Sequence, residues 1–591
     1  MILSGASIGW VTPVARAEQP LFVAYPPAEH QTTAAQIFLI GTAPPEGEVL
    51  VNGAAIEGRS AAGHFAPSLP LAIGENVFTL RYEDQKLILK ITRVSTTPTL
   101  PAGLAFGENS LTPAVDIARL PDELLCFGAI APANADVSVL LGDQTILLQS
   151  QPQTVDLPPN SAVLTQQNQP HTVALAENYQ GCTVLAEPGD WGKPQFQLIM
   201  AGKTVTQTGP GAVEILPLHP FQVAAVTVDE GIARTGPSTD YSRITPLPKG
   251  TQAAVIGREG EWLKLDYGGW IKAQETQILQ RAVLPRSIIR SARSRQVEGW
   301  TEVVLPLQVP VPVSVQQGDR TFTLTLHNTM AQTDTIFFND DPAIARLDWH
   351  PILPDKVQYT FTFKSEQQWG YKLRYEGTSL ILSLRHPPVD VVRQPSLQKT
   401  PLQGLSILLD PGHGSPADLG ARGPTGYPEK DVTLIMAKLL RAELIARGAT
   451  IHLTREGDED LYPRDRVAMI NQIEPAIALS LHYNALPDSG DAINTAGIGT
   501  FWYHAQAHDL SVFLHNYLVE TLERPSYGVF WNNLALTRPT VAPAVLLELG
   551  FMINPNEFEW IVDAEAQQAL AAALADGIVA WIQLQQPKTP G

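Results

Sequence analysis

The stretch that decides the fold is Leu405-Ser406-Ile407-Leu408-Leu409-Asp410-Pro411-Gly412-His413-Gly414. Its apolar run ends in proline and glycine, which predicts a buried strand that leads into a tight turn. The turn displays His413 at the carboxyl end of the strand, where open α/β sheets tend to place their ligands. A functional site is therefore expected in the last third of the chain.

The pattern after Leu405 alternates strand-like and helix-like runs, as in an α/β domain with a central sheet flanked by helices. Val432, Met436 and Leu440 recur at helical spacing, and Gly448 supplies the signal that ends the helix. Further strands are predicted over residues 449–454, 476–482, 499–503 and 543–549, and further helices over residues 463–473, 509–522 and 564–584. This domain is assigned to residues 405–584, with a tail over residues 585–591.

The composition limits the class of partner. The 591 residues carry 59 Asp+Glu against 40 Lys+Arg, a net charge of -19, which argues against a nucleic-acid partner. The 49 prolines and 44 glycines, with 17% charged residues, favour many short strands. No transmembrane span is predicted, because the apolar run from Ile2 to Val14 is too short to cross a bilayer.

The first residues predict export. Val14-Ala15-Arg16-Ala17-Glu18 resembles a cleavage signal, so residues 1–17 are predicted to be a signal peptide cut after Ala17. The usual positive segment is missing, which leaves a truncated start or a frayed terminus as alternatives. Cys126 and Cys182 fall in one predicted domain, where they either pair in an oxidising compartment or stay as buried thiols.

Before the α/β domain, the sequence predicts several all-β modules. Residues 20–97 carry the hairpin signal Val51-Asn52-Gly53 and read as a β-sandwich that resembles a bacterial immunoglobulin-like wall module. Residues 105–220 are a second β domain without a named family. An arginine-rich linker over residues 281–299 precedes another β domain over residues 300–390, weakly similar to amidase-associated modules, and a linker over residues 391–404.

Residues 222–280 combine turn glycines with tryptophans on short strands, which predicts a small twisted barrel. The segments Ala233-Arg234-Thr235-Gly236-Pro237-Ser238, Leu247-Pro248-Lys249-Gly250 and Gly268-Gly269-Trp270-Ile271 are similar to bacterial SH3-like domains attached to wall hydrolases. The resemblance implies binding of wall peptides. A packing spacer without a ligand is the alternative.

Four polar residues lie near the ends of predicted strands or before a helix. His413, Glu429 and His482 supply the His and carboxylate ligands that a catalytic zinc prefers, with one position left open for water. Glu548 ends an apolar strand, where partial desolvation raises the pKa of a carboxylate toward the range useful for acid–base work. Arg538 is predicted to steady an oxyanion or a substrate carboxylate, with a surface salt bridge as the alternative.

Together the motifs identify a resemblance. Asp410-Pro411-Gly412-His413-Gly414, Glu429-Lys430-Asp431, Ser480-Leu481-His482-Tyr483-Asn484 and Leu547-Glu548-Leu549-Gly550 occur in this order, as in the zinc-dependent N-acetylmuramoyl-L-alanine amidases of the type-3 amidase family. The resemblance implies that His413, Glu429 and His482 bind Zn²⁺ and that Glu548 is catalytic. It implies cleavage of the peptidoglycan amide that joins the muramic acid lactyl group to L-alanine of the stem peptide.

The acidic multidomain architecture and the predicted export signal indicate a setting. An autolysin of this kind is expected in the periplasm or cell wall of a Gram-negative-type envelope, where it remodels the wall or separates daughter cells, with a divisome or activator protein as a possible partner. The segment 485–498 is too short for the helix that blocks the zinc in some relatives. A zinc carboxypeptidase or endopeptidase and an inactive wall-binding adaptor are the rival interpretations.

Overall fold

The computed structural model describes residues 20–95, 103–151, 153–165, 168–174, 177–388 and 400–586. The predicted signal peptide, residues 391–399 of the predicted linker and residues 587–591 of the tail lie outside these ranges. No helix in the described ranges has both the length and the apolar character needed to cross a membrane. The predicted class, all-β modules followed by an α/β domain, is confirmed.

The N-terminal module consists of ten short strands in sheets of five, three and two strands around its own apolar core. Its hairpin turn places Asn52 and Gly53 at positive φ, as the Asn-Gly signal predicts. The strands are β1 Phe22–Tyr25, β2 Glu29–Thr32, β3 Gln36–Phe38, β4 Ile40–Thr42, β5 Leu50–Val51, β6 Ala54–Ala55, β7 His64–Phe65, β8 Ser68–Pro70, β9 Gly74–Tyr82 and β10 Gln85–Arg93.

The second β domain is built on a six-stranded sheet, in which a disulfide joins Cys126 and Cys182 where they face each other on neighbouring strands. Asn160–Thr165 form a 3-10 helix between two of its strands. The strands are β11 Ile117–Arg119, β12 Leu124–Ile130, β13 Asp136–Leu141, β14 Gln144–Ser150, β15 Gln153–Asp156, β16 His171–Ala174, β17 Asn178–Val184, β18 Gly189–Gly192, β19 Gln195–Met200, β20 Lys203–Thr208 and β21 Val213–Ile215.

The third module is a small barrel whose sheet continues into the second domain, because β11 pairs with its long strand at Ala118 and Arg258. Its core is formed by small apolar residues together with Leu263 and Ile271. The strands are β22 Phe221–Val226, β23 Glu230–Gly231, β24 Leu247–Pro248, β25 Gln252–Glu259, β26 Trp262–Leu265, β27 Trp270–Lys272 and β28 Thr276–Arg281.

The fourth module has a five-stranded and a four-stranded sheet that enclose an aromatic and aliphatic core. Phe322, Tyr359 and Phe361 are fully buried in it. The strands are β29 Ser287–Val297, β30 Trp300–Leu305, β31 Val313–Gln317, β32 Thr321–Leu326, β33 Thr329–Phe337, β34 Ile344–Leu353, β35 Lys356–Phe363, β36 Tyr371–Glu376 and β37 Ser379–Arg385.

The predicted basic linker over residues 281–299 needs a correction, since most of it is strand β29 of the fourth module. Ile289 and Ala292 are buried in the core, while Arg290 and Arg293 are exposed, and a bulge in the pairing with β33 between Ile289 and Ser291 explains why each pair is three residues apart. Arg295 pairs with Glu302 at 2.6 Å and with a second glutamate on β36. The bulge breaks the period of two that would have indicated a strand in the sequence.

The C-terminal domain is a six-stranded sheet in the order β39-β38-β40-β43-β41-β42, with helices on both faces. The first four strands are parallel, and β41 runs antiparallel to β43. The elements are β38 Ser406–Pro411, α1 Glu429–Ala446, β39 Thr450–Leu453, α2 Pro463–Ile473, β40 Ile477–Asn484, β41 Ile498–Trp502, α3 Ala505–Thr521, β42 Ser526–Trp531, β43 Ala544–Phe551, α4 Pro555–Ile561 and α5 Ala564–Leu584. Strand β42 and helix α4 were not predicted.

This topology determines where polar side chains meet. Strands β38, β40 and β43 are buried along almost their whole length, because α1, α3 and α5 cover one face and α2 the other. Their carboxyl ends lie at one edge of the sheet. Residues that follow β38, end β40 or lie late in β43 are therefore brought together.

Candidate metal centre

Two histidines and one glutamate meet at this edge of the sheet. His413 Nε2 lies 3.1 Å from one oxygen of Glu429, and His482 Nδ1 lies 3.0 Å from the other. One potential ligand atom from each of the three residues lies within 4.8 Å of the others. Two ligands bound tetrahedrally to one zinc at its usual bond lengths are about 3.4 Å apart, so the three donors fit a zinc ion.

His413 is held by the turn and by its neighbours. It adopts φ of 60° between two glycines, a left-handed conformation that non-glycine residues rarely take and that marks functional sites. Asp418 Oδ1 accepts from its Nδ1 at 2.6 Å, which leaves Nε2 toward Glu429. The guanidinium of Arg466 donates to the His413 carbonyl and fixes the turn from behind.

Glu429 is the first residue of α1 and is 3% exposed. Its oxygens accept hydrogen bonds from the backbone N–H of Ala421 at 2.8 Å and of Tyr483 at 3.0 Å, and the positive end of the helix favours its charge. Burial alone would raise the pKa of this carboxyl, but His413 and His482 outweigh burial and hold the pKa well below its usual range. Glu429 is therefore ionised at neutral pH, as a carboxylate that binds a metal must be.

The close approach of His413, Glu429 and His482 depends on two glycines. A Cβ added at Gly412 would lie 2.3 Å from the His482 ring, and one at Gly420 would lie 2.5 Å from both Glu429 and His413. Side chains at these positions would displace the ligands. Gly420 also has φ of 69°, which favours glycine on backbone grounds.

His413 carries a proton at neutral pH in the site as the structure shows it. Burial lowers the pKa of His413, but hydrogen bonds and charges from Glu429 and Asp418 outweigh it and raise the pKa to about 9. A histidine ligand must be neutral at the coordinating nitrogen. A metal that bound through His413 near pH 7 would therefore have to displace this proton.

Glu548 lies beside the three ligands. It faces His482 in the register between β40 and β43. The residue is half-buried, but its Oε2 atom is buried and has no hydrogen-bond partner among the described residues. Burial and, second, the charge of Glu429 raise the pKa of Glu548 well above its usual value. An unpartnered carboxylate oxygen beside a metal cradle is suited to hold and transfer a proton.

A buried polar network supports the turn that carries His413. Asp410 pairs with Arg466 at 2.7 Å and accepts from Thr454 and Ser480, each at 2.6 Å. Arg455, 2% exposed, donates to the carbonyls of Pro411 and Gly412. The sequence indicates Asp410 as part of a motif but predicts no role for it or for the two arginines. Asp418 was not predicted either, because its only signal is its place in a glycine-rich loop.

The structure does not bring Arg538 to this cluster. Arg538 precedes β43, whereas Glu548 lies near the carboxyl end of that strand. Its Nη1 donates to the backbone and side-chain oxygens of Asn533, and its own carbonyl lies 2.8 Å from Nε2 of His504. This position does not support the predicted contact of Arg538 with an oxyanion at the cluster, and its predicted contact with a substrate carboxylate stays a prediction.

The segment between β40 and β41 borders the site and contains no helix within residues 485–497. The N-terminal module packs on it instead. Asp488 contacts Tyr25 through the tyrosine hydroxyl and His30 at 3.0 Å, and Ala492 is buried against Phe38. The segment that follows His482 in the chain is thus held in place by the first module.

Comparison with known proteins agrees with this geometry. Residues 407–580 match the model of the N-acetylmuramoyl-L-alanine amidase family, and residues 229–277 match that of the bacterial SH3 domain. The "Probable cell wall amidase LytH" of Staphylococcus aureus is 36% identical over 195 residues, which are 33% of this chain and 64% of that protein. The chain therefore spans somewhat less than two thirds of the length of this curated relative.

Two solved structures are similar to the C-terminal domain. The catalytic domain of CwlV, an amidase of the same description from Bacillus (Paenibacillus) polymyxa var. colistinus, is 27% identical, with 30% of this chain and 97% of that one covered and a TM-score of 0.28. AmiC2 of Nostoc punctiforme is also 27% identical, with 30% of this chain and 97% of that one covered and a TM-score of 0.29. These scores are low, so the assignment rests on the sequence match. Residues 407–580 form a domain of the N-acetylmuramoyl-L-alanine amidase family, and residues 229–277 form a bacterial SH3 domain.

Proposed function

We propose that this protein hydrolyses the peptidoglycan amide between the muramic acid lactyl group and L-alanine of the stem peptide. The observation that carries the proposal is the convergence of His413, Glu429 and His482, with the unpartnered oxygen of Glu548 beside them. The match of residues 407–580 to the amidase family supports the choice of bond.

We further propose that His413, Glu429 and His482 hold a zinc ion. Zinc with three such ligands polarises a carbonyl and lowers the pKa of a water molecule to roughly 7. Asp418 keeps His413 in the tautomer that presents Nε2, and the backbone donors at Ala421 and Tyr483 orient Glu429.

Glu548 is the proposed general base and acid. Its Oε2 accepts a proton from the attacking water and returns it to the nitrogen of the departing L-alanine. The raised pKa suits both steps, because a carboxyl with a pKa nearer to neutrality can accept and donate. The apolar strands around it limit access of further water.

The cellular setting follows from this substrate. We propose an exported enzyme of the cell wall or periplasm that remodels the wall or separates daughter cells, with the SH3 domain in contact with wall peptides. The relatives are described as cell wall amidases. A divisome or activator partner stays a prediction.

Digestion of a synthetic muramoyl-peptide tests the position of the cut. We expect an intact peptide with a free L-alanine amino group and an unbroken muramic acid, seen by mass spectrometry. A zinc carboxypeptidase or endopeptidase would instead give shortened stems with the lactyl amide intact. That product, or no cleavage by the zinc-loaded chain, would reject the proposed activity.

A further inference from the structure

Three arginines lie together where the SH3 domain meets the amidase domain. Arg234 and Arg243 face each other in an antiparallel bridge within the SH3 domain. The hydroxyl of Tyr503, at the end of β41, contacts the Arg243 carbonyl at 3.5 Å. The next residue, His504, lies 2.8 Å from the carbonyl of Arg538. The two domains thus bring Arg243 and Arg538 to one junction.

These guanidinium groups lack carboxylate partners within the described ranges. Arg234 is 8% exposed and donates to two carbonyls of its own loop, and its Nε is buried without a partner. Among the described residues, the side chain of Arg538 donates to Asn533 alone. For Arg243, a half-buried residue, the described part of the chain offers the side chain no hydrogen bond or ion pair. Partly buried like charges are unfavourable unless an anion joins them.

The electrostatics of the junction favour an anion. Burial, and then the charge of Arg243, lowers the pKa of Arg538 to about 10. Burial and Arg234 lower the pKa of Arg243, and Glu275 opposes them. Glu275 already accepts from the Ile232 N–H at 2.6 Å. The three arginines therefore have one carboxylate nearby, that of Glu275, and it already accepts a backbone hydrogen bond.

Strand β41 links this junction to the catalytic glutamate. Gly499 lies opposite Glu548 in the sheet, and Tyr503 follows four residues later. At about 3.3 Å per residue, the two positions are about 13 Å apart. An extended substrate peptide also advances by about 3.3 Å per residue. If the bond before its first residue lies at Glu548, about its fourth residue lies at Tyr503.

Along β41 itself Phe501 is only 4% exposed, so the accessible surface between the two points belongs to the neighbouring strand β42, whose residues are half-buried or exposed. Edge strand β42 runs along β41, and the described chain pairs no further strand with its outer side. The ring of Tyr527 lies against Gly499 at the end near Glu548. At the other end Trp531 is 59% exposed and lies 5.2 Å from the Tyr503 ring. An extended substrate peptide could therefore pack against Tyr503 and Trp531 beside the arginines.

We propose that Arg243 and Arg538 bind a carboxylate of the substrate's peptide, about four residues from the bond cleaved at Glu548. This inference rests on the proposed function and identifies the SH3 domain as part of the substrate site. Guanidinium groups match carboxylates in shape and charge, so the pair selects acidic stems over amidated ones.

Calorimetry with peptides tests the site without any cleavage. The probes are a tetrapeptide that begins with L-alanine and ends in a free carboxylate, and its C-terminal amide. We expect the full chain to bind the acid at least about tenfold more tightly than the amide. Arg243→Gln and, in the other domain, Arg538→Gln should each abolish this preference. Arg346→Gln, on exposed strand β34, is the matched control and should leave it unchanged.

Each other outcome counts against the proposal. Equal binding of the acid by the wild type and both variants would overturn it, as would the absence of peptide binding. Competition by inorganic phosphate at the affinity of the peptide would show a general anion site and overturn the peptide assignment. Two variants on separate domains guard against misfolding of either one. Because no bond is cut, a failure of this binding test is distinguished from a failure of the proposed activity, which the products of muramoyl-peptide digestion report separately.

Discussion

Replacement of Glu548 by glutamine is expected to reduce kcat on a muramoyl-peptide by a factor of about 10² to 10⁴, the usual contribution of a general acid–base group. Glutamine has nearly the same shape as glutamate, so strand β43 keeps its pairing with β40 and β41 and the fold is retained. What is lost is the oxygen that accepts the proton. Steady-state rates at saturating substrate, with zinc supplied, measure the effect.

The matched control for this variant is Glu520→Gln, an exposed glutamate on α3. It should have the wild-type rate. Glutamine at position 548 with the wild-type rate would remove Glu548 from the mechanism. A large rise in KM with unchanged kcat would instead assign Glu548 to substrate binding.

Replacement of Asp410 by alanine is expected to destabilise the amidase domain by about 3 to 5 kcal/mol, because it leaves the buried charge of Arg466 unpaired. Burial would raise the pKa of Asp410, but Arg466, Ser480 and Thr454 hold it below its usual value. The contribution of this carboxylate is therefore present above its unfolded pKa of about 4 and is lost as the pH falls through the folded value.

Hydrogen exchange in the full chain measures this change within the amidase domain, through the amides of β38 and β40. Glu456→Ala, which removes a surface pair with Arg441, is the control and should cost about 0 to 1 kcal/mol. An Asp410→Ala protein as protected as this control would show that the buried pair does not support the turn at His413.

The sequence predicted the amidase domain well because its signals are local. Helix α2 and helix α5 begin and end at the predicted residues, where Pro463 opens one and an Asp563 cap opens the other. Strand β42 was missed, since Ser526–Trp531 lies at the edge of the sheet and is only partly buried, with no clear alternation. Helix α4 was missed because seven residues show too little periodicity.

The candidate ligands were predictable, whereas their surroundings were not. His413, Glu429 and His482 each lie in a recognisable motif beside a strand or helix. Asp418 depends on the path of an irregular loop. The contacts of Asp488 with the first module and of Tyr503 with the SH3 domain join residues hundreds of positions apart, which periodicity does not report. Arg538 was given a catalytic role from its motif alone.

The central claim, a zinc site at the edge of the amidase sheet, is tested most directly by the zinc content of the purified His482→Ala protein. Elemental analysis after dialysis should give one zinc per chain for the wild type and for Glu548→Gln, and a large loss of zinc for His482→Ala, because two ligands hold the ion poorly. A His482→Ala protein that retains the full zinc content would contradict the account.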